Sequence, residues 1–594
     1  MQTIKKLIAR QILAAAEEAS PGAGLTEEEI VSALEYPPDP NMGDLAFPCF
    51  RLSRALRRSP VQIAAALAEK LGGGCIGSAS AVGGYLNFTI SGDYLGGTVV
   101  PEILAAGDWY GAQTFGEGKT VVLDYSSPNV AKPFHIGHLG TTVIGHSLRR
   151  LHEFAGYRCV GINYLGDWGT QFGKLIVAYR LWGSREMVEQ GGIDTLVELY
   201  VRINNEIKGD PEHGVPGNSE LAESSRAEFH KLETGDEENL KLWRWFVDIS
   251  LAEYQKTYRQ LDIEFDSYLG ESFYTDKMPA QIEILRQKHL LKTDDGAEIV
   301  DLSEYNMPPC LILKRDGSTL YPTRDIAAAV YRKEHYHFDK AIYVTSAQQS
   351  LHFAQWFKVV ELMGYPWYNE LVHVPYGTVS LNGEKLATRT GNVVLLRDLF
   401  ALAIEKVKAI MKEKNTGAEN IEETAEAVGV GAVVFYYLSN NRMKDINFVM
   451  EDALSFDGNT GPYVQYTYAR ACSVLSRADG KPDAGAPVRI TCEEEATLVK
   501  LLCRFGERVC AALDDYEPSY ITRFILDVAA AFNRFYHNCP ILSAEDPEVR
   551  ASRLAITEAG RIVLGNAFDL ICLKKTEKVG GQAVLGRQVL TTTP

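Results

Sequence analysis

The sequence lacks the cysteine patterns that hold metal ions or build disulfide frameworks. Its ten cysteines are scattered, and none of them lies in a Cys-x-x-Cys pair. Cys503 and Cys510 lie seven positions apart, which is not a recognised zinc-ligand spacing. Because scattered thiols in a long chain are typical of a reducing cytosol, we predict a cytoplasmic protein with no metal site and no disulfide scaffold.

Long hydrophobic runs and an excess of positive charge are also missing. The longest apolar run, residues 428–438, contains two glycines and is too short to cross a bilayer, so we predict no membrane association. The formal net charge of −17 excludes bulk electrostatic capture of RNA. Any nucleic-acid partner must therefore bind a local cluster of basic residues.

No targeting segment, internal repeat or low-complexity tract is visible. The first twenty residues carry apolar side chains on one helical face, and Glu17 and Glu18 argue against a targeting helix. We predict that they form the first helix of the fold. The remaining composition is that of a globular protein, with 46% hydrophobic and 23% charged residues over 594 positions, which is enough for several domains.

The most informative stretch is residues 121–140, VVLDYSSPNVAKPFHIGHLG. It predicts a short buried strand, then a loop kept extended by two prolines, then a helix over residues 139–154 with apolar side chains at helical spacing. In α/β sheets, ligands bind at the carboxyl ends of strands, and helix N-termini there attract phosphate. His135 and His138 are therefore candidate phosphate contacts, and Gly137 would let a flat ligand approach the backbone.

This stretch resembles the HIGH signature of class I aminoacyl-tRNA synthetases, and the block from Pro128 to His138 is similar to the arginyl-tRNA synthetase form. In that form Asn129 and Lys132 belong to the motif as well. The resemblance implies that a carboxylate attacks the α-phosphorus of ATP, and that the acyl group then moves to a ribose hydroxyl. Such chemistry needs in-line positioning and donors aimed at the developing charge. Mg²⁺ is expected with ATP, without an identifiable protein ligand.

The resemblance implies an α/β fold with a Rossmann-like, doubly wound parallel sheet in the catalytic domain. The alternation of strands and helices after Glu298 also predicts a parallel sheet, with Thr323 as the N-cap of a helix over residues 326–334. Residues 93–120 are predicted to be a glycine-rich linker. The predicted units are an N-terminal α/β additional domain at 1–92, a catalytic domain at 115–398 with a helical insertion at 183–290, a DALR-type helical anticodon-binding domain at 440–579, and a tail at 580–594.

A second signature loop lies within residues 377–397. Lys385 takes the first lysine position of the family's KMSKS loop, whereas Thr388 stands where the second lysine would be and Arg389 follows it. The resemblance implies that Lys132 replaces the missing lysine, and Arg389 could share that role because arginine binds phosphate in a bidentate way. Lys385 is either an exposed loop lysine or, given the glycines on both sides of it, part of a mobile lid.

The resemblance also implies a pocket for a planar cation, which carboxylates should line. Asp124 is expected to hold the amino group of arginine, and Asn129 to contact the same end of the substrate. Tyr321 and Asp325, four positions apart on one helical face, are the expected guanidinium contacts. Asp325 could instead be an acid that favours the helix dipole. Gln349 matches a further contact, with the neighbouring glutamine as an alternative.

The nucleoside end of ATP is assigned by the same resemblance. His352 falls where the family places a contact on the adenosine side. The backbone of Gly377, Thr378 and Val379 is expected to give hydrogen bonds to adenine.

Two clusters are candidates for contact with tRNA. One is a predicted helical stripe of four arginines, Arg51, Arg54, Arg57 and Arg58. It is either a solvated helix face or an RNA contact. The resemblance implies that this domain contacts the D-loop of the tRNA. The other is the segment from Tyr463 to Arg470, whose aromatic and polar side chains could stack on anticodon bases. An aromatic stripe at helical spacing more often packs in a core, so we expect only one or two of these tyrosines to meet bases.

The resemblance extends over nearly the whole chain and implies attachment of L-arginine to the 3′-terminal adenosine of tRNA(Arg). It also implies that arginine activation waits for bound tRNA, and that the enzyme is a monomer. Two alternatives stay open. A class I synthetase for another amino acid is disfavoured by the acidic pair Asp124 and Asp325. A non-catalytic RNA-binding paralogue is disfavoured because the phosphate-binding residues are present.

Overall fold

A computed structural model shows an α/β protein arranged around one parallel sheet. The structure describes residues 1–19, 25–132, 134–209, 216–381, 384–385, 394–413, 420–456, 458–478, 482, 485 and 487–577. The predicted tail at 580–594 lies outside these residues. Among the helices that are described, none combines the length and the apolar character needed to cross a membrane.

The N-terminal part is a small antiparallel sheet covered by helices. Its elements are α1 (Gln2–Ala19), α2 (Glu27–Ala33), β1 (Leu45–Pro48), α3 (Ser53–Leu56), α4 (Pro60–Lys70), β2 (Ile76–Val82) and β3 (Tyr85–Ile90). The strands are ordered β1-β3-β2. The first helix forms as predicted, with Ile4, Ile8 and Ile12 buried on one face.

The four arginines do not lie on one helix, and that prediction was wrong. Residues 49–52 form a 3₁₀ turn, α3 is only four residues long, and Arg57 adopts a left-handed backbone with φ of 51°. The break arises because Ser59 caps a new helix whose first residue is Pro60. All four arginines are nevertheless exposed.

The predicted linker at 93–120 begins with helix, which corrects the sequence interpretation. It contains α5 (Gly92–Tyr94), a π-helical turn (Leu95–Val99) and α6 (Val100–Ala106). Burial of Leu95, Val100 and Ile103 outweighs the low helix propensity of the glycines. Gly96 lies against the C-terminal part, since a Cβ atom there would lie 1.9 Å from the carbonyl oxygen of Val488.

A four-stranded parallel sheet forms the centre of the molecule. The elements between residues 120 and 385 are β4 (Thr120–Asp124), α7 (Leu139–Phe154), β5 (Arg158–Ile162), α8 (Thr170–Trp182), α9 (Arg185–Lys208), α10 (Ser219–Glu233), α11 (Glu237–Gln260), α12 (Met278–Gln287), β6 (Leu291–Asp294), β7 (Ala297–Val300), β8 (Cys310–Leu313), α13 (Tyr321–Tyr336), β9 (Lys340–Ser346), α14 (Ser350–Leu362), β10 (Leu371–Tyr376), β11 (Val379–Leu381) and β12 (Glu384–Lys385). The parallel strands are ordered β10-β9-β4-β5. Val121 and Leu123 pack on one face of the sheet and Val122 on the other, as alternation along a strand requires.

The strand β8 lies in the stretch after Glu298 whose alternation predicted a parallel sheet, but it does not join that sheet. β8 pairs antiparallel with β7, and β7 pairs antiparallel with β6, in a separate three-stranded sheet. The alternation did not predict this pairing. Residues 295–296 join β6 to β7 and residues 301–309 join β7 to β8, and both connections are shorter than the roughly dozen residues of a parallel crossover, so the segment folds as a meander.

The insertion is helical, as predicted, and contains α9 to α12. Trp243 and Phe246 are buried in its core and Trp245 is half-buried. Trp168 packs edge-on against Trp243.

The C-terminal part is a bundle of helices. Its elements are α15 (Leu396–Glu413), α16 (Ile421–Leu438), β13 (Ile446–Phe448), α17 (Met450–Ala453), α18 (Gly461–Ser476), α19 (Glu493–Leu502), α20 (Phe505–Asp514), α21 (Ser519–Asn538) and α22 (Pro547–Leu570). The pattern had predicted helix throughout. The strand β13 corrects this, because it leaves the bundle to pair in parallel with β11.

Candidate active site

The strand order creates a crevice at the carboxyl ends of β4 and β9. These strands are neighbours in the sheet, although β5 follows β4 in the chain and lies on its other side. The helix after β4 and the helix after β9 therefore leave the sheet at a switch point, which is where open α/β sheets bind ligands. Asp124, Asn129, Lys132, His135 and His138 come from the end of β4 and the loop that follows it.

The loop between β4 and α7 is held in an unusual backbone conformation. Ser126, Ser127 and Ala131 have φ values of 70°, 37° and 55°, in a region that non-glycine residues rarely adopt. The hydroxyl of Tyr254 on α11 donates to the carbonyl oxygens of Asn129 and Lys132, at 2.8 Å each. Because Tyr254 belongs to the insertion, the insertion fixes the position of the Lys132 backbone.

The two histidines occupy a single 3₁₀ turn directly before α7. The amide of Gly137 donates to Nδ1 of His135 at 3.0 Å, and the amide of His135 donates to Nδ1 of His138 at 3.2 Å. The ring centroids lie 4.0 Å apart. Gly137 is required here, because a Cβ atom would lie 2.7 Å from Cε1 of His135.

Both imidazoles are neutral at physiological pH. Burial, together with the charge of Lys132, lowers the pKa of His135 to about 4. Burial and the neighbouring His135 lower the pKa of His138 to about 3. Because each Nδ1 accepts a backbone N–H, the proton of each neutral ring lies on Nε2. Each histidine can therefore donate one hydrogen bond from Nε2.

The segment that follows the second signature loop is paired with the histidine turn. The amide of Ile136 donates to the carbonyl of Val394 at 3.1 Å, and the amide of Leu396 donates to that of Phe134 at 2.9 Å. Before the loop, Lys385 lies in β12 opposite Ser380. The structure therefore brings the end of the second loop to the histidine turn, while Arg389 lies outside the described residues.

The predicted adenine-binding segment is tied to the C-terminal part. The amide of Gly377 donates to the carbonyl of Arg442 at 2.8 Å, and the amide of Thr378 donates to Asp445 at 2.7 Å. Val379 pairs with Ile446. Two of the predicted amide donors are thus already used within the chain, and adenine could take them only by displacing these bonds.

Asp124 is buried at the end of β4 and forms an ion pair. Its Oδ2 lies 2.8 Å from Nη1 of Arg332, and its Oδ1 accepts from the hydroxyl of Ser127 at 2.8 Å. Burial raises the pKa of Asp124, and the Arg332 guanidinium opposes this shift. The side chain of Arg332 on α13 is 1% exposed and stacks over the ring of Tyr164. Sequence reasoning missed Arg332, since nothing in the helix pattern marks it.

The remaining predicted arginine contacts lie around the start of α13. Asp325 is half-buried, and its Oδ2 lies 2.6 Å from Nε2 of His352. A residue assigned to the guanidinium of arginine therefore touches a residue assigned to the adenosine side of ATP. Tyr321, Gln349 and Asn129 are exposed.

Two findings at α13 differ from the sequence analysis. Thr323 does not cap the helix, which begins at Tyr321; the Thr323 hydroxyl is buried and donates to the carbonyl of Ile312 at 2.7 Å. Beside Asp325, Arg324 pairs with Glu271 at 2.7 Å, and burial raises the pKa of Glu271 to about 7. Glu271 lies in the insertion and was not identified from the sequence.

The aromatic segment of α18 is mostly packed, as expected. Tyr468 is buried, whereas Tyr463 and Tyr466 are half-buried. Arg470 lies between the rings of Tyr466 and Tyr536, at 4.9 and 4.7 Å from their centroids. The hydroxyl of Tyr463 accepts from the Asn533 side chain at 3.0 Å.

Known proteins match the chain along its length. Family models match at residues 2–90 (Arginyl tRNA synthetase N terminal domain), 99–450 (tRNA synthetases class I (R), catalytic domain) and 464–579 (DALR anticodon binding domain). The chain is 49% identical to an arginine–tRNA ligase of Clostridioides difficile over 557 residues, covering 93% of this chain and 97% of that relative. It is 48% identical to an arginine–tRNA ligase of Alkaliphilus metalliredigens over 558 residues, covering 94% of this chain and 97% of that relative.

The fold agrees with a solved structure of the same kind. The Thermus thermophilus arginyl-tRNA synthetase superposes with a TM-score of 0.78 at 25% identity, covering 96% of this chain and all 100% of that one. The family model of the catalytic domain alone spans more than half of the sequence. The chain belongs to the arginyl-tRNA synthetases, a family within the class I aminoacyl-tRNA synthetases.

Proposed function

We propose that this chain activates L-arginine with ATP to arginyl-adenylate in the crevice at β4 and β9, and then transfers arginine to the 3′-terminal adenosine of tRNA(Arg). AMP and diphosphate are the other products. The observation that carries the proposal is the backbone pairing between the histidine turn and the segment after the second loop, next to buried carboxylates. Mg²⁺ enters with ATP as part of the substrate.

Lys132 and the two histidines act on the phosphates. The Nε2 protons of His135 and His138 donate to phosphate oxygens, and the Lys132 ammonium stabilises the negative charge that develops at the α-phosphate during attack by the arginine carboxylate. Lys385 approaches from the second loop, and Arg389 could assist it. His352 and the segment from Gly377 to Val379 lie on the nucleoside side.

Arginine is held by carboxylates at both ends. The guanidinium binds Asp325 through Oδ1, because Oδ2 is used by His352, and Tyr321 and Gln349 lie beside it. Asp124 and Asn129 face the amino group. Asp124 keeps its charge through the ion pair with Arg332.

The neutral histidines lead to a pH prediction. The rate of arginyl-adenylate formation, measured as pyrophosphate exchange with bound tRNA, should show no inflection near 6.5, the usual pKa of histidine. A loss of rate centred near that pH in the wild type, absent from His135→Asn, would contradict it. Stability should fall as the pH drops from 6.5 towards about 4, because the unfolded chain then binds protons that the folded histidines do not.

Asp325→Asn should raise the KM for arginine by about 30-fold, while the KM for ATP changes by less than about twofold. The substitution keeps the shape and the contact with His352 but removes the charge-assisted pair with the guanidinium. Asp316→Asn is the control, because Asp316 is an exposed turn residue that accepts from Ser318. An unchanged KM for arginine in Asp325→Asn would remove this residue from the pocket.

A charging assay with each amino acid tests the function as a whole. We expect arginine to be the one amino acid attached to tRNA(Arg). Charging with a different amino acid would favour another class I specificity, and no charging would favour a non-catalytic paralogue. The retained Lys132, His135, His138 and Lys385 argue against the latter.

We propose tRNA contacts at both ends of the chain. In the described part of the structure, no acidic side chain pairs with Arg51, Arg54, Arg57 or Arg58, so these exposed cations are available to the D-loop backbone. Tyr463 and Arg470 face the anticodon. The domain boundaries follow the sequence analysis: 1–92, 115–398 with an insertion at 183–290, and 440–579. We further propose a cytoplasmic monomer.

A further inference from the structure

Two cysteines far apart in the sequence meet in the C-terminal bundle, beside a carboxylate. Cys492 precedes α19 and Cys539 follows α21, and their sulfur atoms lie 3.3 Å apart although 47 positions separate them. The Sγ atoms and a carboxylate oxygen of Glu494 all lie within 4.8 Å of one another. No spacing rule could have found this group from the sequence.

We propose that Cys492, Cys539 and Glu494 bind a zinc ion, with water as the fourth ligand. On binding, the two thiols lose their protons to solvent, and the hydrated zinc ion releases all but one of its water ligands. Two Zn–S bonds and one bond from zinc to a carboxylate oxygen of Glu494 replace the bonds to those waters. Thiolate and carboxylate oxygen are both established ligands of Zn²⁺. Nothing in the aminoacylation reaction uses these residues.

The sulfur separation favours a metal over a disulfide. Two thiolates at Zn–S distances of about 2.3 Å in tetrahedral geometry lie about 3.75 Å apart, whereas a disulfide needs about 2.05 Å. The observed separation of the sulfur atoms is 3.3 Å. To hold zinc, the two atoms must move apart slightly. To form a disulfide, they must approach each other by more than twice that distance.

The residues around the group hold it in place. Arg553 donates from Nε to Glu495 and from Nη1 to the carbonyl of Pro540, both at 2.7 Å, and so ties together the two corners that carry the cysteines. The side chain of Asn538 donates to Oε1 of Glu494 at 2.9 Å, which orients that carboxylate. Such outer contacts are the means by which proteins fix metal ligands.

The site lies at the start of a helix that contacts the N-terminal part. Lys500 on α19 pairs with Asp44 at 2.9 Å. A zinc ion that joins the start of α19 to the end of α21 would therefore stabilise one of the helices that the N-terminal part contacts.

Cobalt titration of the full chain, stripped with a chelator and kept reduced, tests the proposal. We expect one equivalent of Co²⁺ to give a sulfur-to-cobalt charge-transfer band that zinc abolishes. Cys492→Ser and Cys539→Ser should both lose the band, and Asn538→Ala should weaken zinc binding by about 10-fold. Cys510→Ser, a half-buried cysteine on α20, is the control and should keep the band.

A second readout guards against misfolded variants. Zinc should raise the thermal midpoint of the wild type and of Cys510→Ser, but not that of Cys492→Ser, which should fold because serine is a favoured N-cap residue. The proposal is overturned if the wild type gives no thiolate band, or if the band or the zinc-induced shift persists in both Cys492→Ser and Cys539→Ser. Loss of the two thiols to a disulfide under glutathione disulfide, without any metal binding, overturns it as well.

Discussion

Replacing Lys132 with alanine is expected to lower kcat for arginyl-adenylate formation by about a thousandfold, with the KM for arginine changed by less than about threefold. The ammonium acts on charge that develops only in the transition state, so its removal affects kcat rather than ground-state binding. The Lys132 side chain is half-buried, and this burial lowers the pKa of the amine and leaves its charge less screened by water.

The control for this experiment is a lysine in a comparable environment. Burial also lowers the pKa of Lys174, but its Nζ donates to Asn204 in the insertion at 2.8 Å, so this ammonium is already bonded within the chain. Lys174→Ala should keep nearly full activity, and Lys132→Arg should recover part of the lost rate. If kcat of Lys132→Ala stayed near the wild-type value, the missing KMSKS lysine would have to be replaced by another residue, with Arg389 the next candidate.

Replacing Arg332 with methionine should lower the free energy of unfolding by about 3 to 5 kcal/mol, because it leaves the Asp124 carboxylate buried without its partner. Asp124→Asn should be destabilising as well, since the buried guanidinium then loses its counter-charge. The double variant should be more stable than the sum of the two single changes predicts. Urea unfolding followed by tryptophan fluorescence measures all three.

Arg286→Met provides the matched control. Arg286 pairs with Glu298 at 3.1 Å, but its side chain is 50% exposed, so the loss should be below about 1 kcal/mol. Equal effects of Arg332→Met and Arg286→Met would mean that the buried pair has no special role. In that case the charge of Asp124 would have to be maintained by Ser127 and solvent alone.

The fold was largely predictable where the chain shows strong periodicity and local punctuation. The helix over residues 139–154 was predicted with the bounds that α7 has, because two prolines stop it from starting earlier and apolar residues recur on one face. The glycine-rich stretch after residue 92 misled the prediction for the opposite reason. Its helical turns exist because they are buried against the C-terminal part, and tertiary packing of that kind leaves no local signal.

The site was predictable only to the extent that its residues belong to one continuous motif. The histidine turn and Lys132 could be predicted directly from residues 128–138. The partners that fix them come from distant segments: Tyr254 holds the loop and Arg332 holds Asp124. The prediction that Arg51, Arg54, Arg57 and Arg58 lie on one helix failed because Pro60 starts a new helix. The four arginine side chains are exposed all the same.

A crystal structure of the chain bound to a non-hydrolysable arginyl-adenylate analogue is the most direct test of the central claim that one crevice brings the guanidinium and the activated phosphate together. We predict that Nζ of Lys132 lies within hydrogen-bond distance of an α-phosphate oxygen, with the guanidinium on Asp325. An analogue bound elsewhere, or bound there with Lys132 turned away from the phosphate, would contradict the account.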